Sequence, residues 1–166
     1  RALNYGFQFS YSDSINQLDY FYRLLKDTYT RIKLPIPDKS HFEELLNQNK
    51  HNNVKIFFIN KDDTFIAGLF VLIYKETMYG YYMGSVSRQD VLKEKPLDFL
   101  FWEVFKWCKE NHLSYFDWLG AGSPSKDYGV RDFKLQFGGE VVNLGRFQKH
   151  HKPLLMLISK LGLFIW

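Results

Sequence analysis

The stretch GVRDFKLQFGGEVV, residues 129–142, sets one lysine between two phenylalanines and closes on a glycine pair. Lys134 has two uses there. Its stem covers an apolar face while the ammonium stays in water, or its charge faces a site where negative charge develops during a reaction. Just upstream, Asp127 and Tyr128 are proton carriers by type, although an Asp in that position equally suits a helix cap. Asp117 alternates with Phe116 and Trp118, so it faces either a cleft, as a base, or solvent. Arg88 and Lys93 lie in the polar connection SRQDVLKEKP, where they either contact a phosphate or are simply solvated.

Other residue types are less suggestive. GAGSPS has the glycines of a nucleotide turn, but Ser125 stands where the third glycine of that fingerprint belongs and Pro124 interrupts it. Cys108 is the single cysteine and sits among apolar neighbours at helical spacing, which predicts inert packing and excludes an internal disulfide framework. The histidines at 41, 51, 112, 150 and 151 have no cysteine or carboxylate companions at metal-ligand spacing, so no structural zinc is expected.

The elements that must position these groups follow from periodicity. In YSDSINQLDYFYRLLKDTYTRIKLPIP, Ser12 or Asp13 is a candidate cap, and Ile15, Leu18, Phe21, Tyr22 and Leu25 mark one helical face ending before Pro35. A second, shorter helix carries Phe42, Leu45 and Leu46 behind a cap at Asp38 or Ser40. VKIFFIN and TFIAGLFVLIYK, joined by the turn KDD, form a hairpin, and TMYGYYMGSVS adds a third strand. Pro96 then starts a long helix with Leu97, Leu100, Phe101, Val104, Phe105 and Cys108 inward. SYFDWLG is a short strand, VRDFKLQF a short helix with Val130, Phe133 and Phe137 facing the core and Gly138 ending it, and GEVVNLGRF a last strand.

That order predicts an α/β fold: a central mixed, mostly antiparallel twisted sheet with helices on both faces, the long helix linking two strands by a right-handed crossover. The 166 residues suit one domain, taken as 1–152, followed by an apolar segment 153–166. Aromatic residues make up 19% of the chain and charged ones 24%, a composition that folds. The net charge of +4 is spread along the chain without a block dense enough for a nucleic-acid arm. No apolar run reaches the roughly 18 residues of a spanning helix. The tail, basic and then apolar, either packs on the domain or on a neighbouring one, or lies on an anionic membrane surface. A start at Arg1 is the start expected of a processed product or a fragment, and the lone cysteine fits the cytoplasm.

Taken with the element order, YFDWLGAGSPSKDYGVRDFKLQFGGEVV resembles the GNAT-fold superfamily and, more narrowly, its FemAB-type aminoacyl and acyl transferases. The likeness rests on the strand Phe116–Gly120, the loop to Tyr128, and a G-x-x-x-FK-x-x-FG helix formed by Gly129, Phe133, Lys134, Phe137 and Gly138. What the resemblance implies is transfer of an acyl or aminoacyl group to a primary amine, often on a cell-wall or envelope precursor. Acyl-CoA or aminoacyl-tRNA is the implied donor, and Phe133 and Lys134 line the implied site, with Tyr128 and Gly129 beside them. Members of this branch often carry two such domains in tandem, and this chain is most like the C-terminal copy. The resemblance is broken at one point. CoA-binding members have a glycine-rich Q/R-x-x-G-x-G/A turn before the long helix, whereas SRQDVLKEKP contains no glycine, which makes close backbone approach to a pyrophosphate harder. The alternatives left open are a non-catalytic half of a longer protein and an ordinary acetyl-CoA-dependent N-acetyltransferase.

Overall fold

The computed structural model describes residues 5–122, 127–143, 145, 149, 151–152, 155–156 and 158–159. They group into two compact units, Arg1–Gly122 and Ser123–Trp166, each taken here by itself.

The first unit is built on one five-stranded sheet in the order β1-β2-β3-β4-β5. Its strands are β1 Gln8–Ser12, β2 Val54–Lys61, β3 Thr64–Tyr74, β4 Thr77–Ser85 and β5 Tyr115–Asp117. The first four pair antiparallel in sequence, and β5 joins β4 in parallel. The helices are α1 Leu18–Arg31, α2 Lys39–Asn47, the single turn α3 Gln89–Leu92, and α4 Pro96–Glu110, which carries the crossover from β4 to β5.

Period-two alternation on β2 decides what lies on each face. Ile56 and Phe58 join a cluster with Leu18, Phe21 and Leu25 of α1 and Phe42 of α2. Phe57, between them, turns to the other side and meets Trp107 of α4 at 5.2 Å between ring centroids. Residues 54–59 are therefore buried on both faces, and the mixed sheet with helices on either side is as the pattern predicts. Each such buried Phe or Ile contributes about 1.5–3 kcal/mol over its exposed state.

Local signals worked where they were strongest. Asp38 caps α2, its carboxylate accepting the Ser40 N–H at 2.9 Å, and Pro96 occupies the first turn of α4. Other details differ from expectation. A strand, β1, precedes the first helix: Phe7, Phe9 and Tyr11 alternate there, with Phe9 stacked on Phe57 at 5.6 Å. The cap of the first helical segment is Ser14, not Ser12 or Asp13, and it opens a 3-10 turn, Ile15–Gln17. That tighter turn puts Ile15 out of phase with Leu18 and leaves it 43% exposed. On α4, Leu97 and Phe105 are half-buried, while Phe99 is buried against Phe7, a contact supplied by the segment leading into β1.

Two side-chain environments set the rigidity of the layers. A Cβ on Gly84 of β4 would lie 2.4 Å from the Leu25 backbone nitrogen of α1. On the opposite layer Cys108 is buried with its Sγ 3.6 Å from Met78 Sδ, and burial pushes the thiol up from 9.0 to about 11. We expect Gly84→Ala to cost about 1–3 kcal/mol, the range of an overpacked core, in urea unfolding. Gly80→Ala meets only the Phe116 ring tip, at 3.0 Å, and is expected to cost less. Equal stabilities would contradict the close α1–β4 packing. Because the folded thiol holds its proton above the unfolded value, Cys108 should react with a thiol reagent at pH 8 about a hundredfold more slowly in the native than in the unfolded chain.

Candidate active site

The sheet opens at β4. Thr77, Met78 and Tyr79 pair with β5, opposite Tyr115, Phe116 and Asp117, and β4 runs on through Gly80–Ser85 with that edge unpaired by any strand among the described residues. The parting has visible local causes. Phe116 sets its ring against Gly80, where a Cβ would lie 3.0 Å from its Cζ, and the ring packs on Phe101 and Phe105 of α4 at 6.0 and 5.2 Å. Beyond Asp117 the chain turns: its Oδ1 accepts the Leu119 N–H at 2.7 Å, and Leu119 takes a left-handed φ of 57°.

At the same place β4 carries a bulge. Gly80 opposes Val71 and Tyr82 opposes Phe70, leaving Tyr81 as the extra residue. In a regular strand adjacent tyrosines point to opposite faces. Here both pack on the α1–α2 side, Tyr82 against Phe42 at 5.3 Å and Tyr81 against Phe70 at 6.4 Å. Tyr29 of α1 completes a wall, its ring 5.8 Å from Tyr82. The Tyr81 hydroxyl meets His41 Nε2 of α2 at 3.0 Å, and His41 is exposed. Burial, and secondarily the neighbouring Tyr81, raises the Tyr82 phenol above its usual range, so Tyr82 stays protonated.

Backbone groups on the open edge are just as important. Val86 N–H bonds to Ile66 on β3, so alternation turns the N–H and C=O of Ser85 the other way, where Thr28 of α1 satisfies both. Met83, two residues back, turns its N–H and C=O to that same edge.

The connection after β4 is not built as a pyrophosphate cradle. It folds partly into α3, and Arg88, exposed, is committed to Asp90 at 2.7 Å. Lys93 is exposed, Glu94 is paired with Lys61 of β2, and Asp98 occupies the first turn of α4 with Lys95 at 3.8 Å. A carboxylate already complements the helix dipole where a phosphate would need it.

The remaining expected residues belong to the second unit. Tyr128, exposed, holds the N-cap position of α5, Gly129–Leu135, so Asp127 lies one residue too early to be the cap. Gly129 opens the helix with open space where a Cβ would stand, and Lys134 is half-buried in the last turn, where a cation suits the dipole. Phe133 and Phe137 are half-buried with rings 5.3 Å apart, but Val130, expected in the core, is 45% exposed. The helix is only two turns long, and Phe137 follows its end, so one apolar stripe does not run through all three. The helix ends at Leu135 with Gln136 as its C-cap, earlier than the expected stop at Gly138, and Gly138 and Gly139 take φ 86° and 99° beyond it. No strand follows through Asn143; residues 123–126, which include half of GAGSPS, and the greater part of 153–166 lie outside the described residues.

Thus Tyr128, Gly129, Phe133 and Lys134 share one short helix, Asp117 ends the paired part of β5, and Arg88 and Lys93 sit on the β4–α4 connection. Sequence reasoning missed Thr28, His41, Tyr81, Tyr82 and Met83. The signal available was the doublet in MYGYYMG, two like residues where a strand alternates. A separate surface groove between Cys108, Lys109, His112, Tyr115 and Phe116 offers no reactive pair, since its thiol is held protonated. Among the described residues no helix is long and apolar enough to cross a membrane, and no group of acidic, His or Cys side chains is placed to hold a metal ion.

The fold is similar to that of solved proteins. An aminoglycoside acetyltransferase from an uncultured soil metagenomic sample, in complex with sisomicin, superposes with a TM-score of 0.63 at 19% identity, over 92% of this chain and 100% of its own. FemX superposes with a TM-score of 0.70 at 15% identity over 80% of this chain, which spans 50% of FemX. An aminoglycoside N-acetyltransferase in complex with CoA gives 0.58 at 13% identity, over 88% of this chain and 95% of its own. At such identities these likenesses establish the fold. No curated protein sequence matches the chain. The model of the acetyltransferase (GNAT) domain family matches residues 1–134, most of the chain, and the protein belongs to that family.

Proposed function

We propose that this protein transfers an acyl or aminoacyl group to a primary amine, the amine attacking the donor carbonyl directly at the open edge of β4. The observation that carries the reading is the parting of β4 from β5 after Tyr79, which leaves the Met83 backbone on an edge that no strand among the described residues covers. A donor carbonyl lying along that edge is polarised by the Met83 N–H, and the fixed dipole stabilises the oxyanion more than the ground-state carbonyl. The aminoglycoside acetyltransferases of similar fold and the family itself support acyl transfer to an amine.

The finer assignment is of FemAB type. FemX is among the similar folds, and the glycine-free connection with its matched charges favours a donor that is not gripped by a pyrophosphate. Within the second unit the family resemblance gives Lys134 the role of a charge-stabilising cation, with Phe133, Tyr128 and Gly129 beside it on α5, and within the first unit Asp117, Arg88 and Lys93 are secondary contacts. The acceptor is then an amine on a cell-wall or envelope precursor, and the working protein carries a second such domain, since this chain spans half of FemX. The tail 153–166 would hold it at the inner face of the membrane. An ordinary acetyl-CoA-dependent enzyme is the second reading, favoured by the similar fold seen with CoA.

Acceptor turnover measured with acyl-CoA and with aminoacyl-tRNA separates these readings. The first reading predicts transfer from the tRNA ester and little from CoA; transfer from acetyl-CoA alone selects the second, and none from either contradicts both. Lys134→Met should lower transfer by about a hundredfold or more with the urea transition unchanged. Full activity in that variant would remove Lys134 from the mechanism. Flotation with anionic liposomes should weaken when residues 153–166 are deleted, and equal flotation would dismiss the membrane contact.

A further inference from the structure

Tyr81 lies two residues past the last residue of β4 that pairs with β5, and the bulge aims it toward α2 instead of the α4 side. Its hydroxyl is bonded to His41 Nε2 at 3.0 Å, and the His41 ring packs against both Tyr81 and Phe42, at 5.9 and 5.3 Å. Three half-buried tyrosines, at 29, 81 and 82, therefore form a wall next to the open edge, with the exposed His41 imidazole at its rim. An amine acceptor is a cation until it gives up a proton, and ring faces attract an ammonium without ionising. It must then become neutral before its lone pair can attack.

We infer that Tyr81 and His41 form the proton-accepting pair for the acceptor amine, with Tyr82 and Tyr29 seating the ammonium beside it. This rests on the transferase reading above. Tyr81 is the group that touches the substrate nitrogen, and His41 orients its hydroxyl and takes the proton. The pair suits that task because a half-buried phenol relays the proton and an exposed imidazole releases it to solvent. Tyr82, whose phenol burial keeps protonated, serves as a wall and not as a base. The nearby charges of α2 are otherwise engaged: Asp38 accepts the Ser40 N–H, and Lys39 bridges Asp19 at 2.6 Å and Glu43 at 3.1 Å.

The step balances as follows. The ammonium gives one proton to the Tyr81 oxygen as the Tyr81 proton passes to His41, leaving a neutral amine. The nitrogen forms a C–N bond to the donor carbonyl, the bond from that carbon to the leaving sulfur or oxygen breaks, and the second nitrogen proton goes to the leaving group. His41 then loses its proton to water, and no oxidant or reductant takes part.

The test uses the full chain with cadaverine as acceptor probe and acetyl-CoA and alanyl-tRNA as donors. Tyr81→Phe keeps the ring and removes the hydroxyl; it and His41→Ala should each lower kcat by about a hundredfold, while His51→Ala leaves it unchanged. Imidazole added to His41→Ala should restore at least part of the loss, which a purely structural role does not predict. Wild-type turnover with both variants within threefold of it, or a His41→Ala loss that imidazole does not restore, overturns the inference and leaves the transferase reading intact. If the wild type turns over neither donor, the His41 ring proton resonances decide. A shift on adding cadaverine, abolished in Tyr81→Phe, supports the amine seat while the transferase reading fails, and no shift overturns both.

Discussion

Thr28 on α1 places one hydroxyl between the N–H and C=O of Ser85, accepting from the first at 2.8 Å and donating to the second at 3.0 Å. Ser85 is only 5% exposed, so those backbone groups need partners once β5 has left, and an unmade bond there costs about 1–3 kcal/mol. The hydroxyl can reach because Gly84, the residue before, has no Cβ where α1 crosses β4. One glycine and one threonine thus allow a buried strand to continue without a neighbour. The open edge, the feature on which any substrate contact with this sheet depends, follows from that clamp.

The bulge at Tyr81 turns the open edge into a chemically varied one. A regular β4 would send one of Tyr81 and Tyr82 to the α4 layer, where Phe116, Phe101 and Phe105 already fill the space. By adding one residue the strand keeps Gly80 under Phe116 and brings both phenols to the α1–α2 side. The two faces then differ in kind: one is a dry aromatic layer that includes a protonated thiol, and the other ends in hydroxyls and an imidazole.

Much of the fold was legible in the sequence because it rests on periodicity. The β-rich run VKIFFIN announced a hairpin strand, and Pro96 and Asp38 marked helix starts by chemistry that depends only on neighbouring residues. The first strand escaped because its five residues lie at the sheet edge with only half-buried side chains, so the alternation of Phe9 and Tyr11 is weak beside the helix that follows. The phase of Ile15 depended on a single 3-10 turn. The site was less legible still. The family resemblance directed attention to Lys134 and its helix, whereas Thr28, His41, Tyr81 and Met83 act through register, a bulge and contacts between distant segments. His41 and Tyr81 stand 40 positions apart, and no spacing rule connects them.

The central claim is that the donor carbonyl lies along the β4 edge that β5 leaves uncovered. Hydrogen exchange of the backbone amides, followed with and without whichever donor the protein turns over, tests it most directly. The account predicts slower exchange on donor binding at residues 80–84, centred on the Met83 N–H, with β1 unchanged. Unchanged exchange across residues 80–84 under saturating donor, with protection appearing elsewhere, would contradict it.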